Sequence, residues 1–368
     1  MGGRGPGIKG GRRTQFFTPD LTMSIKFFMA ILAVASAWPF KQIFDQEFTN
    51  FKIEHNRAYS SPTEERFRYN LFMRSKLRVS LHNEKFARGE VPYKVGLTRF
   101  SDMTRQEASE MLGLQHMPEH EAAYLERETR RVAASVRAVE DDGLPDKVDW
   151  REKGAVTPVR DQGHCRASYA FSAAGALEGQ MFLKTGVLPV LSTQQLVHCS
   201  QYRYCKGGLP ALSYEYVERN GGLATEEQYP YHGPGGQCQK NITSQAAVSH
   251  GYRAFKKNDE WALKEAVAKY GPVTVGISVV PPRYGPDFYD YTGGVFYCPE
   301  RGDINHSVLV VGYSTSEKGW DYWIVKNSWG EKWGENGYFK LKMDTENNEN
   351  TCFIAAQSSI PIVWSNGK

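Results

Sequence analysis

Residues 161–172 contain the side chains of this 368-residue chain whose types and spacing point most directly to chemistry. The stretch passes from polar residues into small apolar positions that recur at helical spacing from Ala170 to Leu177. This pattern predicts a helix that begins at or near Ser168. A side chain at such a terminus faces unpaired backbone N–H groups and the positive end of the helix dipole. The position of Ser168 therefore favours developing negative charge.

The segment Cys165-Arg166-Ala167-Ser168-Tyr169 resembles the active-site signature C-G-[SA]-C-[WY] of papain-family cysteine proteases. Serine stands where that family has its nucleophilic cysteine, and Arg166 stands where it has glycine. A bulky cation there is expected to crowd the wall of the cleft beside the scissile bond. It would also disturb the neighbouring loop if that glycine needs a positive φ.

The resemblance assigns the other catalytic roles to residues elsewhere in the chain. His306 follows Ser168 at the offset of about 130–150 residues that the family shows for its imidazole. Asn327, in an Asn-Ser-Trp-Gly segment, matches the residue that orients the imidazole, and Trp329 matches the ring that shields their hydrogen bond. Gln162 matches the side-chain oxyanion donor, and the backbone N–H of Ser168 would be the second donor.

A Ser-His-Asn set is expected to be a poor peptidase triad. A cysteine thiol, with a pKa near 8.5, is stored as a thiolate beside an imidazolium, whereas a serine hydroxyl must lose its proton during attack. The transient imidazolium of His306 then needs an anionic partner, and Asn327 is neutral. Replacing the aspartate of a serine protease triad by the neutral asparagine costs about 10⁴ in rate, or roughly 5 kcal/mol of barrier.

The resemblance also implies a substrate pocket and leaves the activity open between several readings. The residues that match the pocket of cathepsin L-like enzymes would make it apolar; they are Gly207, Gly208, Leu209, Pro210, Gly276 and Ile304. Residues 167–171, Ala-Ser-Tyr-Ala-Phe, also resemble the silicateins, which condense silicic acid, although the serine-rich run of that branch is replaced by Cys-Pro-Glu-Arg-Gly-Asp at 298–303. The alternatives are a weak serine-nucleophile hydrolase, a silicatein-like condensation catalyst, an inactive peptide-binding pseudoprotease, and an interaction protein that retains its proregion.

Residues 38–117 resemble the inhibitory proregion of papain-family zymogens. Aromatic and apolar residues from Phe40 to Phe51 predict one amphipathic helix, and a second is predicted over 61–87 with Pro62 in its first turn. The second helix matches the motif E-x3-R-x3-F-x2-N-x3-I-x3-N, with serine for the first asparagine and valine for isoleucine. Its residues are Glu64, Arg68, Phe72, Ser75, Val79 and Asn83. Residues 96–102 resemble the G-x-N-x-F-x-D element, with Thr98 for asparagine.

Other segments complete the predicted organisation. Residues 1–22 read as a flexible leader, and 23–37 have the charged, apolar and A-x-A parts of a signal peptide. Residues 118–144 are predicted to be an exposed linker with an activation site, before a peptidase domain at 145–368. Asn241 heads a glycosylation sequon. We therefore expect a protein of the secretory pathway, lysosomal or extracellular, with no membrane span.

Six cysteines fit three disulfides in an oxidising compartment, and spacing alone leaves 15 pairings open. The resemblance implies Cys165–Cys205, Cys199–Cys238 and Cys298–Cys352, which leaves no free thiol. The net charge of +4 is spread over the chain and gives no reason to expect nucleic acid as a partner. The expected partners are a polypeptide in the cleft and the proregion as an intramolecular inhibitor, and neither a cofactor nor a metal is implied.

The fold class predicted from the sequence is α+β. A helical half from Ser168 to Asn220 is followed by short β-rich runs at 273–277, 307–311 and 322–325. The resemblance implies a papain-like two-lobed fold, with a helical lobe and a β-barrel lobe on either side of a cleft, preceded by the helical proregion.

Overall fold

A computed structural model of the chain describes residues 38–114, 143–200, 204–239, 245–279, 288–298 and 302–363. The predicted leader and signal peptide, nearly all of the predicted linker, and Asn241 lie outside these residues. The described residues divide into two compact units, one that ends at Glu64 and one that begins at Glu65. In the first unit, helix α1 spans Trp38–Glu54, and Phe48 stacks on Phe51 and on Tyr59 with ring centroids 6.3 and 6.0 Å apart.

Helix α2 spans Pro62–Ala87, strand β1 Tyr93–Val95 and the short helix α3 Arg105–Ser109. The Arg68 guanidinium on α2 donates to both carboxylate oxygens of Glu107 on α3, each at 2.7 Å. Glu107 also accepts the backbone N–H of Thr104 and completes a capping box at the start of α3. Asn83 exchanges hydrogen bonds with the backbone of Val95 in β1. Residues of the proregion motif therefore fix α2 to the elements that follow it.

Four helices lie in the part of the chain after residue 143 that the structure describes: α4 Ser168–Thr185, α5 Thr193–Cys199, α6 Pro210–Asn220 and α7 Glu260–Tyr270. The first 13 of the 18 residues of α4, rich in alanine and glycine, are all buried. A Cβ on Gly175 would lie 2.8 Å from the side chain of Leu309, so small residues let α4 pack closely against the sheet. Ser192 caps α5 by accepting the N–H of Gln195, as its sequence predicts.

The strands that follow β1 are β2 Val148–Asp149, β3 Tyr252–Ala254, β4 Val273–Ile277, β5 Tyr291–Phe296, β6 His306–Thr315, β7 Asp321–Lys326, β8 Tyr338–Lys342 and β9 Ser358–Pro361. All nine form one mainly antiparallel sheet in the order β1-β5-β8-β7-β6-β4-β9-β3, with β2 paired to β6. Only the β5–β8 pair is parallel among these described strands. Strand β1 of the proregion segment pairs with β5, so this segment adds a strand to the sheet.

One buried cluster fills the sheet side of the molecule and a second surrounds α4, α5 and α6. This is the predicted α+β architecture with a helical lobe and a β-rich lobe. The three disulfides are Cys165–Cys205, Cys199–Cys238 and Cys298–Cys352, the pairs that the resemblance implied. Within the described ranges, no helix is both long enough and apolar enough to cross a bilayer.

Candidate active site

Ser168 is the first residue of α4 and is fully buried. Its Oγ accepts a hydrogen bond from the backbone N–H of Ser307 on β6, at 3.3 Å. The Oγ of Ser307 lies 2.7 Å from the Oγ of Ser172, one turn further along α4. The predicted nucleophile is therefore placed where the helical lobe meets the strand that begins with His306.

His306 begins β6, is fully buried, and pairs with Ile277 on β4. Its Nε2 lies 2.9 Å from Oδ1 of Asn327, which can only accept, so Nε2 carries the proton. Its Nδ1, left as the basic nitrogen, is buried and has no hydrogen-bond partner among the described residues. Burial lowers the pKa of His306 to about 4, and the hydrogen bond to Asn327 partly opposes this shift.

The indole of Trp329 covers the imidazole of His306, with ring centroids 4.8 Å apart and planes 29° apart. The indole is itself packed against Phe288, Tyr289 and Trp333, at centroid distances of 5.5, 5.5 and 5.0 Å. His306 and Asn327 are both buried beneath this aromatic wall.

Gln162 is buried and lies at the same junction. Its Oε1 accepts the hydroxyl of Ser328 at 2.6 Å, which fixes the amide so that Nε2 faces the site. Nε2 donates to the carbonyl oxygens of Cys165 and Met111, each at 2.7 Å. The predicted oxyanion donor thus binds a backbone carbonyl of the proregion segment.

The proregion segment 110–114 passes directly over these residues. A Cβ on Gly113 would lie 2.7 Å from Ser168 Oγ, so only glycine allows the chain to lie this close. The Gly113 carbonyl accepts the N–H of Gly208 at 3.0 Å, and the Leu114 N–H donates to the carbonyl of Asn305 at 3.0 Å. The segment therefore binds through backbone hydrogen bonds, with one isolated β-bridge between Leu114 and Gly208, and covers Ser168.

The side chain of Leu114 fills the predicted apolar pocket. It is buried in a cluster with Leu209 and Leu212, and Ile304 packs against them. A Cβ on Gly276 would lie 2.7 Å from Ile304 and 2.8 Å from Leu114, so this glycine makes the room. Two further predicted pocket residues lie next to Gly208 and Leu209 in the chain. They are Gly207, which has a φ of 87°, and Pro210, the first residue of α6.

The side chain of Arg166 does not crowd the cleft in the way that the sequence led us to expect. It does not have a positive φ, so the loop needs no glycine conformation here. Its side chain is exposed, and Nε donates to the carbonyl of Glu110 at 3.0 Å. The cleft still accommodates the segment 110–114 beside it.

Sequence reasoning missed several residues of the site. Ser307 and Ser328 each follow a predicted site residue in the chain, and this adjacency was the available signal for them. Leu212 lies one helical turn after Leu209, so the helix start at Pro210 predicts that both face the pocket. Nothing in the local sequence indicated that Met111 and Leu114 would be bound here.

Comparison with known proteins identifies the class that this fold and site define. The model of the papain family cysteine proteases matches residues 144–362, and that of the cathepsin propeptide inhibitor domain matches residues 48–108. The chain belongs to the papain family.

Within that family, the chain is a cathepsin L-like peptidase zymogen. It is 39% identical over 361 residues to cathepsin L1 of Drosophila melanogaster, covering 96% of this chain and 95% of that protein. It is 41% identical over 342 residues to cathepsin L of Sarcophaga peregrina, covering 91% and 98%. The solved structure of digestive procathepsin L 3 from the larval midgut of Tenebrio molitor superposes with a TM-score of 0.74 at 35% identity, covering 87% of this chain and 99% of that one.

Proposed function

We propose that the mature domain binds polypeptides in its interlobe cleft and hydrolyses peptide bonds slowly, with Ser168 as the nucleophile in place of cysteine. The observation that carries this proposal is the juxtaposition of Ser168, at the start of α4, with a shielded His306–Asn327 pair across the lobe junction. The bound segment 110–114 supports the polypeptide as the ligand, because it engages the cleft through backbone hydrogen bonds and one apolar side chain.

The chemistry assigns one role to each residue. Ser168 Oγ attacks the scissile carbonyl while its proton passes to Nδ1 of His306, which then protonates the leaving amine. Gln162 Nε2 stabilises the oxyanion once the carbonyl of Met111 has left it. Water, activated by the same nitrogen, then hydrolyses the acyl-enzyme. The rate is low because Asn327 carries no charge that would stabilise the imidazolium of His306.

A peptide-binding pseudoprotease is the second candidate. The observation that favours it is that His306 Nδ1 makes no hydrogen bond to Ser168, whose Oγ binds the N–H of Ser307 instead. In this reading the cleft keeps its pocket and backbone contacts but performs no chemistry.

In either reading the protein would be made as a zymogen in the secretory pathway. The predicted signal peptide at 23–37 supports this, as do three disulfides, which persist in oxidising compartments.

The test is turnover of a peptide with an apolar residue next to the scissile position, after removal of the proregion, by wild type, Ser168→Ala and Ser168→Cys. Slow hydrolysis by wild type that Ser168→Ala abolishes supports the serine nucleophile. If wild type and Ser168→Ala bind the peptide but neither cleaves it, while Ser168→Cys does, the pseudoprotease reading is correct. Failure of Ser168→Cys to cleave any peptide contradicts a competent peptidase cleft.

A further inference from the structure

Arg166 places a guanidinium on the wall of the cleft, two residues before Ser168. Its backbone C and O atoms, like Ser168 Oγ, lie 2.7 Å from the point that a Cβ on Gly113 would occupy. The place in the cleft next to Ser168 is thus bordered by Arg166 and is filled in the zymogen by a residue with no side chain. A substrate residue with a side chain at this place must have its backbone slightly further from Ser168 than Gly113 does, and its side chain would then run along the same wall.

The charge of Arg166 is not neutralised by a carboxylate in the part of the chain that the structure describes. Its one hydrogen bond goes to a backbone carbonyl, that of Glu110. A second cationic residue, Lys206, follows Cys205. Cys205 forms a disulfide with Cys165, and the Cα atoms of these two cysteines lie 4.7 Å apart. Arg166 follows Cys165, so two exposed basic residues flank one disulfide at the cleft.

Departure of the proregion removes the only acceptor that Arg166 has in the described structure. The guanidinium would then face solvent beside the pocket that Leu114 vacates. A guanidinium binds a carboxylate through two parallel N–H···O bonds, which are about twice as strong as hydrogen bonds between neutral groups. The wall would therefore be chemically suited to an acidic side chain, where glycine would leave it neutral.

We propose that Arg166 is a specificity-determining residue. The mature cleft prefers a peptide with aspartate or glutamate next to Ser168, adjacent in sequence to the residue in the apolar pocket. This inference rests on the proposed function, since it requires a polypeptide in the cleft. It does not require Ser168 to be catalytically competent, because it concerns binding.

The experiment measures peptide binding in a Ser168→Ala background, so that no turnover occurs. The full chain is folded with its proregion and then cleaved between residues 114 and 143 by an added protease. Two dye-labelled peptides with identical flanks are titrated by fluorescence anisotropy. One contains Leu-Glu-Leu (the Leu-Glu peptide) and the other Leu-Gln-Leu (the Leu-Gln peptide), so that a leucine can fill the apolar pocket in either chain direction. We expect Leu-Glu to bind about tenfold more tightly, which corresponds to about 1.4 kcal/mol. The ratio should fall as salt is raised.

Variants assign the preference to one side chain. In Arg166→Gln the ratio should fall to about one, with Leu-Gln affinity and thermal unfolding unchanged because the side chain is exposed. In Lys206→Gln, the matched control across the disulfide, the ratio should persist. Asp161→Asn should also keep the preference for Leu-Glu. The Asp161 carboxylate loses its proregion partner Arg99 on activation. Its Oδ1 still accepts the N–H of Gly163.

The outcomes separate the two proposals. Equal binding of both peptides overturns the role of Arg166 and leaves the polypeptide cleft standing. A preference that survives in Arg166→Gln also overturns it, and assigns the preference to another group. If neither peptide binds, both the specificity and the proposed function are wrong.

Discussion

At the scale of single residues, the site differs from that of a cysteine protease in how charge is distributed. A thiolate–imidazolium pair holds opposite charges side by side before substrate arrives. In this chain Ser168 and His306 are both neutral and buried, and burial lowers the pKa of the imidazole to about 4. The barrier to hydrolysis must therefore include the cost of creating an imidazolium next to the neutral amide of Asn327.

Asn327→Asp should accelerate hydrolysis by Ser168. The Oδ1 of Asn327 accepts from His306 and from the N–H of Ser328 at 2.8 Å, while Nδ2 is buried and has no partner in the part of the chain that the structure describes. An aspartate therefore keeps both acceptor contacts and loses no donor bond seen there. Its negative charge should raise the pKa of His306 and stabilise the imidazolium. We expect at least a tenfold increase in kcat, with a ceiling of about 10⁴.

The measurement pairs a pH–rate profile with an NMR titration of His306. Asn327→Leu, which has a similar volume and no charge, is the control and should not gain activity. A raised imidazole pKa without any gain in rate would mean that Ser168 is not the nucleophile.

At the scale of elements, the cleft is closed by strand-like pairing of the segment 110–114, with Leu114 as its apolar anchor. Four features hold the segment. They are the amide of Gln162, the guanidinium of Arg166, the backbones of Gly208 and Asn305, and the Leu114 pocket. The proregion motif positions it, because Arg68 fixes α2 to α3 and α3 leads directly into the segment.

Leu114→Ala should loosen this segment. Truncating a buried leucine costs about 2–5 kcal/mol, and local opening of the segment should absorb most of that cost. We expect hydrogen exchange at the amides of Leu114 and Gly208 to become about 100-fold faster, which corresponds to roughly 2.8 kcal/mol.

Leu97→Ala is the matched control in the same proregion, because Leu97 is 37% exposed. It should leave both amides unchanged. Unchanged exchange in Leu114→Ala as well would show that the backbone contacts alone hold the segment in the cleft.

The same elements show what the sequence could and could not predict. The start of α4, the strand at 273–277 and the cap at Ser192 follow from local periodicity and capping, so they were predictable; the end of α4 at Thr185 was not predicted. His306, Asn327 and Trp329 were found because they belong to short motifs in a fixed order. The contacts of Met111 and Leu114 depend on the path of a segment about fifty residues before Gln162 and Ser168, and no local pattern encodes that path.

At the scale of the whole molecule, buried ionisable groups couple stability to pH. His306, His82 and His198 all have pKa values lowered mainly by burial. Burial raises the pKa values of Glu226 and Glu260. Between about pH 6.5 and 4.5 the histidines make the unfolded chain bind more protons than the folded one, whereas these two carboxyls have the opposite effect. The net dependence of the unfolding free energy on pH is the difference between these opposing contributions. The contribution of one group is therefore best isolated by comparing a variant with wild type.

His306 should make the zymogen less stable in acid. Its folded pKa of about 4 lies below the unfolded value of 6.5, so its contribution to stability is complete above pH 6.5 and is lost as the pH falls toward 4. Between pH 7 and 5 this loss amounts to about 2 kcal/mol.

Urea unfolding of wild type and His306→Gln at both pH values measures this loss. The variant should lose about 2 kcal/mol less than wild type over this interval, whatever its stability at pH 7. Lys153→Gln, an exposed substitution, should follow wild type. Equal losses in wild type and His306→Gln would mean that His306 can take up a proton in the folded zymogen, with the segment 110–114 still covering the site.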